Sequence, residues 1–218
     1  CHDRRMQGAR GTRRARVGLG VAGATAALAR WAEAKEPPLP ALPLRVSVAA
    51  LGDPAHPVVA PAFVGAQLAR LAQLLGAHGV AFAEDAAARD VLPERHARLE
   101  TRTCRDPLAQ HVTSGAISVF FVAQLRDVDD PRLLRMGVTW RKLTDLAKKY
   151  VIVSAGAGST TLAHEVGHYL GLGHTSVRNN LMSYDRDGGE VFLDALQGRV
   201  IRRTARLLIA RGALRTSG

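Results

Sequence analysis

Apolar positions along the chain fall into several short unbroken runs and two longer stretches with a three-and-four period, so strands alternating with a few helices are expected. Residues 44–51, with Leu44, Val46, Val48 and Leu51, have strand length and are ended by Gly52, Asp53 and Pro54. From 61 to 78, Phe63, Val64, Leu68, Leu71, Leu74 and Leu75 recur at helical spacing. Pro61 is tolerated in the first turn of such a helix, and Gly76 and Gly79 mark its end. Residues 80–83 read as a second strand. The clearest strand is 117–122, where Val119, Phe120 and Phe121 follow one another as in a strand buried on both faces. Gly137, Val138, Thr139 and Trp140 suit a short strand, at an edge or in the core, and 150–154 is a further apolar run. Gly156 and Gly158 then loosen the chain before a helix whose first amides Ser159, Thr160 or Thr161 would cap. From 192 to 210, Leu193, Leu196, Val200, Ile201, Leu207 and Leu208 set an apolar stripe against Arg199, Arg202, Arg203, Arg206 and Arg211. Residues 84–111 show no clear period.

With 218 residues and 47% hydrophobic content, the chain can bury one sizeable core. The expected organisation is a leader over 1–34, a linker over 35–43 stiffened by Pro37, Pro38, Pro40 and Pro43, and a folded domain over 44–218. Of the net charge of +11, residues 1–34 hold seven Arg against Asp3 and Glu33, which leaves +6 for the rest. Arg10, Arg13, Arg14 and Arg16 precede the uncharged, Ala- and Gly-rich run 17–29, in the manner of a signal peptide. Alternatively, Cys1 is the lipid-bearing residue of an envelope lipoprotein, and a lipid at that position is the only tie to a membrane that is expected. Both readings place the protein outside the cytosol, secreted or in the cell envelope; an ordinary amphipathic N-terminal helix is the plainer third reading. Cys1 and Cys104 are the two cysteines, and outside the cytosol a disulfide between them is possible.

The chemistry concentrates in 164–174: His164-Glu165-Val166-Gly167-His168-Tyr169-Leu170-Gly171-Leu172-Gly173-His174. Residues four apart on a helix lie one above the other, so His164 and His168 aim two imidazoles at one point with Glu165 beside them. Imidazole is a good zinc ligand, and a carboxylate next to metal-activated water can serve as general base. Gly171 permits the backbone to leave the helix, so that His174 can return to the same ion as a third ligand. Three protein ligands leave a coordination position open, the catalytic rather than the structural pattern. In a shuffled chain the five-residue form arises about once in a hundred, the eleven-residue form roughly three times in a hundred thousand. The long form is therefore not a coincidence of composition.

This pattern, followed by Met182 in Asn179-Asn180-Leu181-Met182-Ser183-Tyr184, resembles the metzincin clan of zinc endopeptidases with its Met-turn. Thr175 and the Asn-Leu-Met-x-Tyr turn are similar to the pappalysin-like branch, whereas the short step from His174 to Met182 is similar to matrixins. The resemblance implies an α+β fold: a small twisted mixed sheet with a long upper helix and an active-site helix, then the Met-turn and a C-terminal helix. It implies Met182 as a floor beneath the metal and Tyr184 as a residue reaching the metal or the transition state. It also implies an edge strand bordering the cleft, which Gly137, Val138, Thr139 and Trp140 match in placement. The implied activity is zinc-dependent hydrolysis of internal peptide bonds, with one catalytic zinc on His164, His168 and His174. The rival reading is a catalytically silent zinc-binding envelope or adhesion protein, against which Glu165 stands, since a clamp alone does not need it.

Other candidates are weaker. His96 and His111 lie in no ligand spacing and are expected at the surface. Asp127, Asp129 and Asp130, and the turn 185–190, have a calcium look, but calcium needs six or more oxygens and solvated loops are expected. The arginine-rich C-terminal stripe lacks the aromatic residues that stack on bases, so no nucleic acid is expected as partner. A monomer acting on protein or peptide substrates is the expectation.

Overall fold

The chain is seen as a computed structural model that describes residues 37–142 and 144–216. The expected leader over 1–34 and the lipid-bearing role of Cys1 lie outside the described residues. The first strand, β1 (Leu42–Leu51), starts two residues earlier than the apolar pattern placed it and includes Pro43. Proline fits because Leu42 donates its amide toward β3 (Phe82–Glu84), through Ala81 O at 2.8 Å. The missing donor of Pro43 thus faces the other side, where the neighbouring strand begins pairing only opposite Leu44. β2 (Asp53–Pro57) folds back antiparallel on β1, and its five exposed residues explain why no apolar run announced it.

Helix α1 (Pro61–Gly76) buries Val64, Gln67, Leu71, Leu74 and Leu75. It ends two residues before the expected limit, because Gly79 at φ 76° turns the chain and Val80 donates back to Leu75 O. After β3, the stretch without a period folds into β4 (Asp90–Leu92), β5 (Arg98–Leu99), the single-turn helix α2 (Arg102–Arg105) and short 3-10 turns. The two histidines of this stretch depart from expectation. His96 is 2% exposed, and its ring meets His111 edge-on at 5.1 Å, so these are packed residues and not surface ones. A polar residue in a segment without a period gave no sign of that burial.

β6 (Ile117–Val122) is buried at every position and sits at the centre of the sheet. Val119 and Phe121 face the helices, while Phe120 and Val122 face a second cluster with Leu99, Leu108 and Tyr150. β7 (Gln124–Leu125) pairs with β5, then β8 (Gly137–Arg141) and β9 (Lys149–Ser154) form an antiparallel pair. The sheet order is β2-β1-β6-β9-β8, with β1, β6 and β9 parallel and β8 at the edge. Helices α3 (Thr161–Tyr169) and α4 (Ala195–Ala210) complete the chain. Asp194 and Gln197 close a capping box at the start of α4, and Ile201 and Ala205 anchor its inner face. Each fully buried large aliphatic side chain in such a core contributes about 1.5–3 kcal/mol. Among the described residues no helix is long and apolar enough to cross a membrane.

Candidate metal centre

Helix α3 packs below the sheet edge, and its start is held from far away. Neither Ser159 nor Thr161 caps it, and Thr160 at the N-cap makes no side-chain cap bond. Instead Gln67 of α1, 1% exposed, accepts from Leu162 N at 3.0 Å and donates to Gly158 O at 2.8 Å. One side chain thereby satisfies a free helix amide and the carbonyl before it. Gln67 sits one turn after Val64 on the apolar stripe of α1, and a polar residue in that position is the one hint the sequence carried.

At the other end α3 stops at Tyr169, and Gly171 takes φ 92°. A Cβ there would lie 3.0 Å from Thr204 Oγ1 of α4, so glycine serves both the turn and the close approach. Lys149 of β9 donates to Tyr169 O at 2.9 Å, tying the helix end to the sheet, and burial pulls its amine down to about 8. The turn carries His174 back over the helix. The Nε2 atoms of His164, His168 and His174 then stand 3.0, 3.0 and 3.3 Å apart.

These distances fit one ion. Ligands about 2.0–2.1 Å from a tetrahedral zinc are separated by about 3.3 Å. The other ring nitrogens settle the tautomers: His164 Nδ1 donates to Leu181 O at 2.7 Å and His168 Nδ1 donates to Leu172 O at 2.8 Å. Because a carbonyl only accepts, the proton sits on Nδ1 and the Nε2 lone pair points inward. Burial also lowers the pKa of both rings, His164 to about 4, so they are neutral ligands at ordinary pH. Among the described residues this is the one cluster of three or more His, Cys, Asp or Glu able to share an ion. Asp127, by contrast, spends its carboxylate on the amides of Asp129 and Asp130 and on Arg135. Asp187 likewise binds Asn179 and Gly189 N.

Glu165 is 6% exposed and lines the cleft between α3 and β8. Burial raises its carboxyl to about 7, against the opposing effect of hydrogen bonds from Thr139. Gly137 faces it so closely that a Cβ would stand 2.8 Å from Glu165 Cγ and 2.7 Å from Thr161 Cγ2. Met182 is fully buried below α3, with Sδ 2.8 Å from where a Cβ of Gly167 would be. Tyr184, 72% exposed, brings its hydroxyl to 3.0 Å from His174 Nε2. Of the β8 residues singled out in sequence, Thr139 bonds to Glu165, whereas Trp140 turns to the far face and donates to Asp106 at 2.9 Å.

The cleft has two halves. One, of about 300 Å³, lies among Leu134, Met136, Thr161, Ser183 and Tyr184. The other, of about 610 Å³, follows β8 past His168 and His174 to Arg141 and Lys149.

The architecture is similar to that of metalloproteinase-II from Bacteroides fragilis, at a TM-score of 0.52 and 14% identity over 78% of this chain and 55% of that one. The chain shares its fold with that protein over the matched region. A similarity to archaemetzincin from Methanopyrus kandleri has a TM-score of 0.49 and 17% identity over 76% of this chain and 96% of that one. No protein-family model and no curated protein matches the chain in sequence.

Proposed function

We propose that the protein is a zinc-dependent endopeptidase of the metzincin type, acting on internal peptide bonds of extracellular or envelope proteins. The observation that carries this reading is the convergence of three imidazole Nε2 atoms within 3.3 Å of one another, beside the buried carboxylate of Glu165. Zinc held there supplies a positive charge that acidifies water and polarises the carbonyl to be attacked. Glu165 takes the proton from the attacking water and passes it to the departing amine. Thr139 and Gly137 keep that carboxylate in place, the first by hydrogen bonding and the second by leaving room. Tyr184 donates its hydroxyl to the oxyanion as the carbonyl carbon becomes tetrahedral, an interaction worth most in the transition state. The free edge of β8 offers its backbone groups to an extended peptide.

The Asn-Leu-Met-x-Tyr turn and Thr175 favour the pappalysin-like branch over the matrixin-like one. The composition of residues 1–34 supports export, and the protein acts as a monomer without nucleic acid. The test is metal analysis of the purified chain with cleavage of an unstructured protein, with and without a chelator. One zinc per chain and chelator-sensitive cleavage at internal bonds are expected. A zinc-loaded chain that cuts nothing would favour the silent binding domain instead.

A further inference from the structure

The larger half of the cleft is lined by five cations, Arg102, Arg105, Arg135, Arg141 and Lys149, against the carboxylates of Asp127, Asp129 and Glu165. Two of those carboxylates are already engaged, Asp127 by Arg135 and two amides and Glu165 by Thr139. Asp129 remains as an exposed counter-charge, and the lining stays net positive.

Three features make this charge unusual for a mere solvated surface. Arg141 and Lys149 stand directly opposite each other in the β8–β9 register, a like-charge pair that disfavours the strand pairing. Arg102 and Arg105 both lie over the Trp140 ring, at 5.1 and 4.7 Å, so four cationic side chains gather around one short strand. Finally, Arg105 is 2% exposed, yet it donates only to a carbonyl, Arg126 O at 2.5 Å, and its Nε meets no acceptor. A buried guanidinium without a carboxylate in hydrogen-bonding contact is costly unless an anion completes the site. Neither Arg102 nor Arg141 pairs with a carboxylate among the described residues.

We infer that this half of the cleft is a specificity subsite for an acidic side chain, Asp or Glu, of the peptide substrate, held by Arg102, Arg105 and Arg141. The inference rests on the peptidase reading for its substrate class. A peptide lying along the edge of β8 past His174 brings side chains on one side of the reacting bond to the end of that strand, where Arg141 projects on the face of Thr139 while Arg102 and Arg105 stand on the face of Trp140. A carboxylate reaching that end meets guanidinium groups from either face of the strand, and charge complementarity there selects among peptides.

The test uses the zinc-loaded full chain and a peptide library with free and with amidated C-termini. Asp or Glu should be enriched within about three residues of the cleaved bond, on one side only, with both kinds of terminus. In the double variant Arg102→Glu/Arg141→Glu, the ratio of kcat/KM for the best acidic peptide to that for its lysine counterpart should fall at least about tenfold. Cleavage of lysine peptides should rise, which damage to the fold would not produce. No enrichment, enrichment only where a free C-terminus is present, or an unchanged ratio in the double variant would overturn the subsite. A separate arm follows binding of the same acidic and lysine peptides to Glu165→Ala by fluorescence anisotropy of the labelled peptides. At least about tenfold tighter binding of the acidic peptide, weakening with salt, is expected, and equal affinities would overturn the subsite. Retained acidic preference in binding with no cleavage by the parent chain would remove the peptidase reading and leave the subsite standing.

Discussion

The Thr139 hydroxyl lies 2.5 Å from the Glu165 carbonyl oxygen and 3.0 Å from its carboxylate, so the strand bordering the cleft is joined to the helix that carries the proposed base. Replacing it by Thr139→Val keeps the shape and removes the donor. A buried acceptor left without its bond costs about 1–3 kcal/mol, which is roughly a 5- to 150-fold loss in turnover if it is expressed in the transition state. Zinc content should be unchanged, and Thr139→Ser should restore most of the rate. Equal rates for Thr139→Val and the parent would show that the bond does not position Glu165.

Gly137 has no room for a methyl group. In Gly137→Ala the new atom meets Thr161 Cγ2 and Glu165 Cγ at under 3 Å, so the strand and helix must part or the carboxylate must turn. A stability loss of about 1–3 kcal/mol is expected from overpacking of this kind, with a larger proportional loss of activity. Thermal denaturation and peptide cleavage on the same preparation separate the two effects.

Gly171 at φ 92° combines a left-handed backbone with a contact to Thr204. Gly171→Ala strains the turn by about 1–2 kcal/mol and shifts His174 from the other two imidazoles. Zinc affinity, read by competition with a chromogenic chelator, should fall by about 10- to 100-fold, as when the support of a ligand is lost. Thr204→Ala in the same background should recover part of it by relieving the contact.

Gln67→Leu leaves Leu162 N without its partner inside the core and removes the donor to Gly158 O, which belongs to an exposed residue. About 1–3 kcal/mol of stability should be lost, chiefly from the buried amide. Gln67→Glu, which can still accept from Leu162 N but cannot donate to Gly158 O, should fall between the two.

Buried His96, packed against the half-buried His111, sets a pH limit. Burial first, then the nearby charges of His111 and Arg95, hold the His96 imidazole at about 4, below its ordinary 6.5; burial and Arg95 lower His111 also, opposed by Asp90. The unfolded chain therefore takes up protons more readily than the folded one as the pH falls below 6.5. Stability is fully present above that value and is lost progressively toward pH 4, by on the order of 2 kcal/mol. His96→Phe should flatten the denaturation midpoint over this window, and an unaltered slope would assign the loss to other groups.

The clamp was legible because its spacing is local: four residues of helix, a glycine bend, and a third histidine, all within 164–174. The central strand was legible for the same reason, since Val119, Phe120 and Phe121 declare burial on both faces by themselves. What supports the site was not. Thr139 meets Glu165 across 26 positions and Gln67 meets Leu162 across 95, and such partners are set by how the sheet and helices stack. The basic half of the cleft draws on α2, β8 and β9, whose arginines and lysine in the linear order look like unrelated surface charge. His96 and His111 misled because polar side chains in a segment without a period carry no sign of packing.

The long reach of Gln67 also bears on timing. A nine-residue helix such as α3 does not persist alone in water, and its first turn is completed by a side chain placed nearly a hundred positions earlier. His164 depends in addition on Leu181 O, which follows the helix in the chain. A ribosome-bound or half-folded copy consequently has histidines without a socket, and the cluster able to hold an ion comes into being only as the chain completes its fold.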